Sequence, residues 1–317
     1  MGQSVIAEVV RSGFVEGHHY GSMVAIDGNG AVLHQVGDVT SQILPRSCNK
    51  PIQALGMVKA GLQLEGELLA LSCASHSGES FHLDGVRRIL AGAGLTEESL
   101  RTPPDYPLDD DAREAVIRSG EARSSLMMNC SGKHAAMLAT CVVNGWSTAY
   151  YFAPGHSLQK AIAETFAETT GEPVEQTAID GCGAPLLSTS LTGLARAFSR
   201  LAVAQDGPER LIADAIRSHP EYVSGTTRDE SALLHAIPGA IGKAGAESCY
   251  VVALPDGRAF ALKTDDGAAR ARPVVMAGLL KRLGVDVEPG VDTEAVRRTG
   301  QQPLLGGGVA VGEIRAV

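Results

Sequence analysis

The sequence predicts an α/β fold of the α+β kind, with one sheet built from N- and C-terminal strands and helices packed against it. Three observations predict it. Apolar and polar residues alternate through the first forty positions, a mostly helical stretch runs over roughly 84–245, and hairpin-like patterns return after residue 248. The whole chain, 1–317, is expected to form a single domain, with the helical region inserted between the two groups of strands.

Ser4–Val10 opens the chain as a strand. Met23–Ile26 and Ala31–Gln35 flank Asp27-Gly28-Asn29-Gly30, a strong hairpin signal because these residues tolerate the backbone that tight turns need. A helix starts near Ser47, with Pro51 in its early turns, and carries the helical period to Gly61. Leu68–Ala74 is a buried apolar run that fits a strand or the end of a buried helix. Helices follow at Asp84–Ala93, Asp110–Arg118, Lys133–Val143, Ser157–Thr169, Leu191–Val203 and Pro208–Arg217. Asn144-Gly145 and Gly171 stop two of them. Cys249–Leu254 and Arg258–Thr264 form a hairpin across Pro255-Asp256-Gly257, Pro273–Leu283 is helical, and Gly306–Val311 is the last strand.

With 44% hydrophobic residues, 317 residues can bury a sizeable core, and 37 glycines with 4% aromatics point to tight turns around small aliphatic side chains. The 27 basic and 36 acidic residues leave a net charge of -9, which argues against nucleic acid or an anionic membrane surface as the main partner. No apolar run approaches the roughly 18 residues needed to cross a bilayer, and no signal-peptide pattern precedes Ser4, so a cytoplasmic setting is expected. The six cysteines lack CxxC pairs, and in such a setting free thiols are the default.

Four clusters could carry chemistry. In Ser47-Cys48-Asn49-Lys50, a helical spacing of three lets Lys50 reach the Ser47 hydroxyl. A serine becomes nucleophilic when a neighbour takes its proton, which a lysine can do when burial or another cation lowers its pKa. The bland reading is a cap residue followed by a solvated lysine. Lys263-Thr264-Asp265-Asp266-Gly267 ends a late strand, where hydrolases of the penicillin-recognising class carry a lysine, or it is a surface lysine before an acidic turn. Ala74-Ser75-His76-Ser77-Gly78-Glu79 follows an apolar run and could be a site or a cap and turn. Asn129-Cys130-Ser131-Gly132-Lys133-His134 with Asp180-Gly181-Cys182-Gly183 offers two thiols for zinc, with His134 the expected third ligand. Ser131-Gly132-Lys133 lacks the frame of a phosphate loop. His18-His19 is expected in a solvated loop, and Asp109-Asp110-Asp111 at a helix start. Cys73, Cys141 and Cys249 are expected in the core.

Taken in order, Arg46-Ser47-x-x-Lys50-Pro51, Cys73-Ala74-Ser75-His76-Ser77, Asn129-Cys130-Ser131-Gly132-Lys133-His134, Asp180-Gly181-Cys182 and Lys263-x-Asp265-Asp266-Gly267 resemble the rhizobial-type L-asparaginase family, which is distinct from the threonine-nucleophile asparaginases. The resemblance runs from about Val10 to Gly308. It implies a fold like the serine β-lactamases and glutaminases, a homodimer, and L-asparagine as substrate, hydrolysed to L-aspartate and ammonia. It implies Ser47 with Lys50 and Ser75 with Lys263 as catalytic Ser–Lys tandems, and zinc held by Cys130, Lys133 and Cys182. Arg46, Asp180 and His134 are left to the substrate, with Asp180 taking its α-ammonium group. Two other readings stand beside it: a β-lactamase-like or penicillin-binding hydrolase, and a non-catalytic metal-binding sensor. The first lacks Ser-Asp-Asn and Lys-Thr-Gly motifs, since Lys263-Thr264 is followed by Asp265.

Overall fold

Alternation near the N-terminus produces β1 (Ser4–Arg11) and the long β2 (Phe14–Ile26), which turns at Asp27–Gly30 into β3 (Val32–Val36). Asp27 accepts the backbone N–H groups of Asn29 and Ala31 at 2.9 and 2.8 Å, the Asx geometry that the hairpin signal anticipated. A computed structural model describes residues 4–317, and the chain divides into two compact units. The first holds the described residues up to Cys48, together with Thr189–Val203 and Ala232–Val317. The second holds Asn49–Ser188 and Ala204–Ser231.

The first unit is the sheet. Its later strands are β6 (Ile241–Gly245), β7 (Cys249–Ala253), β8 (Ala259–Thr264), β9 (Gln302–Gly306) and β10 (Val309–Ala316). Strand order is β6-β7-β8-β2-β1-β10-β9, with β3 also paired to β2, so N-terminal and C-terminal strands interleave in one antiparallel sheet. The join is β2 against β8, in a register that sets Ser22 opposite Lys263. Every residue of β6 and β7 is buried, the pattern of strands covered on both faces. Helices α7 (Leu191–Val203) and α11 (Ala271–Arg282) pack against β8, and α11 also reaches β10. The fold class is the α/β arrangement expected.

The second unit is helical, apart from a small hairpin of β4 (Thr177–Ile179) and β5 (Pro185–Leu187). Its centre is α1 (Lys50–Lys59), whose residues 50–57 are all buried, as befits a helix surrounded on every side. Against it pack α2 (Gly66–Ser72), α5 (Ser131–Val143), α6 (Ser157–Thr170) and α8 (Gly207–Ser218), and the unit also holds α3 (Ser80–Gly92), α4 (Asp110–Ser119) and the short α9 (Pro220–Val223). Gly56 lets α1 approach α6 closely, since a Cβ there would stand 3.0 Å from the Ile162 Cα. Asp109 caps α4 by accepting the Ala112 N–H at 2.9 Å, the role expected of the Asp109–Asp111 run.

Two expectations are corrected and one open alternative is resolved. Gly306–Val311 is not one strand: Gly307 and Gly308 both take positive φ, 58° and 84°, and turn β9 into β10. His18 and His19 lie within β2 rather than in a loop, and His19 is buried with its Nδ1 2.5 Å from Asp266 Oδ2. Leu68–Ala74, left open between strand and helix, is mostly α2.

Candidate active site

The helical unit holds seven of the expected site residues. Lys50 begins α1, and two neighbours anchor that first turn to β5: Asn49 Nδ2 donates to Leu187 O at 2.9 Å and Gln53 Nε2 to Pro185 O at 3.3 Å. The β4–β5 turn, closed by Asp180 N–H to Ala184 O at 3.0 Å, carries Asp180 and Cys182. Cys130 is the N-cap of α5, and Lys133 and His134 lie in its first turn. Ser75 lies in the irregular stretch between α2 and α3.

Lys50 Nζ is the hub. It lies 2.6 Å from Ala74 O, 2.8 Å from Ser75 Oγ and 3.1 Å from Cys130 Sγ, and the residue is only 1% exposed. Lys133, also 1% exposed, places its Nζ 3.3 Å from Cys182 Sγ. The two thiols form a coupled pair. Hydrogen bonding to Cys130 and then the Lys133 charge hold Cys182 far below its ordinary value against the effect of burial, whereas hydrogen bonding to Cys182 and burial push Cys130 up. Cys130 Sγ also lies 3.1 Å from Asn129 Oδ1. Burial opposes the Lys133 charge, but the Cys182 and Cys130 charges and Asp180 hold it above its ordinary value.

His134 places its Nδ1 2.7 Å from the Tyr151 hydroxyl, which also accepts the Arg101 N–H at 3.3 Å. Its Nε2 is buried without a hydrogen-bond partner. Burial, the largest influence on this ring, holds His134 below its ordinary value.

Gly132 explains its own place in the Ser131-Gly132-Lys133 run. A Cβ there would meet the Leu71 carbonyl oxygen at 2.6 Å and its Cγ at 2.7 Å, so α5 can approach the end of α2 only with glycine at this position. Gly132→Ala is expected to destabilise the protein by about 1–3 kcal/mol through overpacking, read as a lower midpoint in chemical denaturation; an unchanged midpoint would mean that α5 moves freely.

The sheet unit holds the remaining expected residues. Arg46 and Ser47 form a 3-10 turn with Cys48 and Asn49 before α1, and Arg46 adopts a left-handed backbone with φ 53°, uncommon outside glycine. Gly245 of β6 admits this turn, because a Cβ there would stand 3.1 Å from the Ser47 nitrogen. Arg46 Nη1 lies 3.5 Å from Glu247 Oε1, and Lys263 Nζ donates to Glu247 O and Thr264 O, each at 3.1 Å. Glu247 thus lies between the Arg46–Ser47 turn and Lys263, a link that no sequence motif announced. Cys48 is fully buried, and its Sγ donates to Lys243 O at 3.0 Å. All six cysteines are free and buried.

Comparison with known proteins now bears on this arrangement. The family model described as L-asparaginase II matches residues 7–316, and the chain belongs to that family of amidohydrolases. No curated protein matches the chain. Among solved structures, a β-lactamase from Mycobacterium bovis is similar at 16% identity with a TM-score of 0.46, over 83% of this chain and 94% of that one. EstCE1, a hydrolase with promiscuous acyltransferase activity, is similar at 13% identity and TM-score 0.43, over 81% and 92%. A Bacillus glutaminase follows at 10% identity and TM-score 0.39, over 83% and 90%. Among the described residues, no helix is long and apolar enough to cross a membrane.

Proposed function

We propose that the chain hydrolyses the side-chain amide of L-asparagine to L-aspartate and ammonia through an acyl-enzyme, with Lys50 as the base. Membership of the L-asparaginase II family supports the amide chemistry. The observation that carries the mechanism is the buried 2.8 Å contact between Lys50 Nζ and Ser75 Oγ. An uncharged amine has two N–H donors and one lone pair. Donated to Ala74 O and Cys130 Sγ, the two N–H groups leave the lone pair for the Ser75 hydroxyl proton.

In the first step Lys50 takes that proton while Ser75 Oγ attacks the amide carbon. The C–N bond then breaks, and the proton passes from Lys50 to the departing nitrogen, which leaves as ammonia. In the second step water gives a proton to Lys50 and attacks the ester, and Ser75 Oγ recovers its proton as the carboxylate forms. Ser47 and Lys263 enter the proposal as the second hydroxyl and amine of the family pattern, with Arg46, Asp180 and His134 as substrate residues. Zinc fits the donor chemistry of Cys130, Lys133 and Cys182, two soft sulfurs and an amine. Bound there, it would supply a local positive charge and Lewis acidity, after Cys130 and Lys133 release their protons.

The test is ammonia release from L-asparagine, measured beside L-glutamine and beside nitrocefin turnover, for the wild-type protein and for Ser47→Ala and Ser75→Ala. Ammonia from asparagine, lost on replacing Ser75, is the expected result. Nitrocefin turnover without ammonia release would favour the β-lactamase-like reading, and neither activity would favour a metal-binding sensor.

A further inference from the structure

Ser75 has no helix or sheet to fix it, yet the proposed reaction needs its hydroxyl held against Lys50. Its own N–H donates to Val223 O at 3.0 Å, which sets one end of the segment. The other end is set by His76. The backbone N–H of His76 donates to Asn129 O at 3.0 Å, and its ring Nε2 lies 2.8 Å from Ser131 Oγ. Asn129 and Ser131 are the two residues that bracket Cys130, the sulfur that shares the Lys50 amine with Ser75.

The direction of the ring contact follows from proton counting. Ser131 Oγ also lies 2.7 Å from Leu126 O, a group that can only accept, so the single hydroxyl proton goes there. His76 must therefore donate from Nε2, and a buried Nδ1 with nothing to accept a proton from it fits a neutral ring. Nδ1 has no hydrogen-bond partner, and the ring stacks on His82 with centroids 5.2 Å apart. A neutral ring also suits its surroundings, since burial above all holds His76 well below its ordinary value.

We infer that His76 is a positioning residue, a fixed donor that staples the Ser75 segment to the start of α5 and so holds the Ser75 hydroxyl on Lys50. It exchanges no proton with substrate. The inference rests on the reading of Lys50 and Ser75 as the reacting pair. Two hydrogen bonds on either side of one sulfur define the position of a chain segment far better than one, and a misplacement near 1 Å at a reacting atom is enough to slow an enzyme on the order of a hundred-fold.

The experiment is steady-state ammonia release from L-asparagine by the full chain and by four variants. His76→Leu and Ser131→Ala remove the same bond from opposite sides, so one remains informative if the other fails to fold. His76→Gln keeps an N–H donor at the reach of Nε2, and Ser75→Ala reports on the underlying reading. The expected result is a kcat reduced about ten- to a hundred-fold in His76→Leu and Ser131→Ala, with KM held within about two-fold, and most of kcat regained in His76→Gln. The pH–rate profile keeps its shape in the variants that turn over. Equal losses in His76→Gln and His76→Leu, or wild-type kcat in Ser131→Ala beside an inactive Ser75→Ala, would overturn the inference while leaving the Lys50–Ser75 reading intact. Full activity in Ser75→Ala would overturn both.

Discussion

Lys50→Met is expected to lower kcat for L-asparagine by about a thousand-fold or more while leaving the fold close to its original stability. The two halves of this expectation have different causes. Activity falls because, among the described residues, the Lys50 amine is the one side-chain group hydrogen-bonded to Ser75 Oγ and so the base closest to its proton. Stability is barely touched because the amine is a buried polar group whose three partners are a carbonyl, a hydroxyl and a sulfur, none an ionised carboxylate. Removing it abolishes a desolvation cost and leaves the Ala74 carbonyl short of a partner, two effects of opposite sign, each about 1–3 kcal/mol. Methionine has a similar volume and an adaptable chain. Lys50→Arg sharpens the test, because a guanidinium keeps the charge and cannot accept a proton at neutral pH. Measured kcat should be as low in Lys50→Arg as in Lys50→Met; an active Lys50→Arg enzyme would mean that Lys50 acts through its charge and not as a base. The same kinetics make a second check: Lys50→Met with Ser75→Ala should be no slower than either alone, since members of one catalytic unit are not additive.

The sequence made the sheet legible wherever local chemistry agreed with the final structure. The Asp27–Gly30 hairpin, the Pro255–Gly257 turn and Leu191–Val203 are all found, because turn residues and helical period are local signals. β6 escaped notice for a physical reason. Its turn into β7 uses Glu247 and Ser248 with φ of 55° and 51°, a left-handed pair without the glycine or asparagine that normally marks such a hairpin. The strand Ile241–Gly245 also contains a buried lysine, Lys243, which breaks its apolar pattern. His19 was misjudged because a histidine reads as solvated until its partner is known, and Asp266 lies 247 residues away. The site was legible as a set of residues and not as a set of contacts. Lys50, Ser75, Cys130, Lys133 and Cys182 stood out through motif spacing, but helical spacing pointed Lys50 back to Ser47. Its hydrogen bonds instead reach across the helical unit to Ser75 and Cys130, which only tertiary packing could specify. Glu247 and the Tyr151–His134 contact carried no motif at all.

Cys182→Ala, assayed in the presence of a chelator, is expected to destabilise the protein by about 3–5 kcal/mol, the usual cost of stranding a buried charge. Lys133 is the charge at issue. It is 1% exposed, and its Nζ has Cys182 Sγ as its recorded hydrogen-bond partner at 3.3 Å. Alanine at 182 removes the sulfur and leaves the buried ammonium without that partner. Lys133→Met should cost much less, because a sulfur deprived of its cation can take up a proton and become a small apolar group. The decisive variant is the double one. With Lys133→Met and Cys182→Ala together no charge is stranded, and stability should recover to within about 1–2 kcal/mol of wild type. Chemical denaturation of the four proteins closes the cycle and reads the coupling between the two side chains directly. Additive losses would mean that Cys182 contributes only its packing volume and does not pair electrostatically with Lys133.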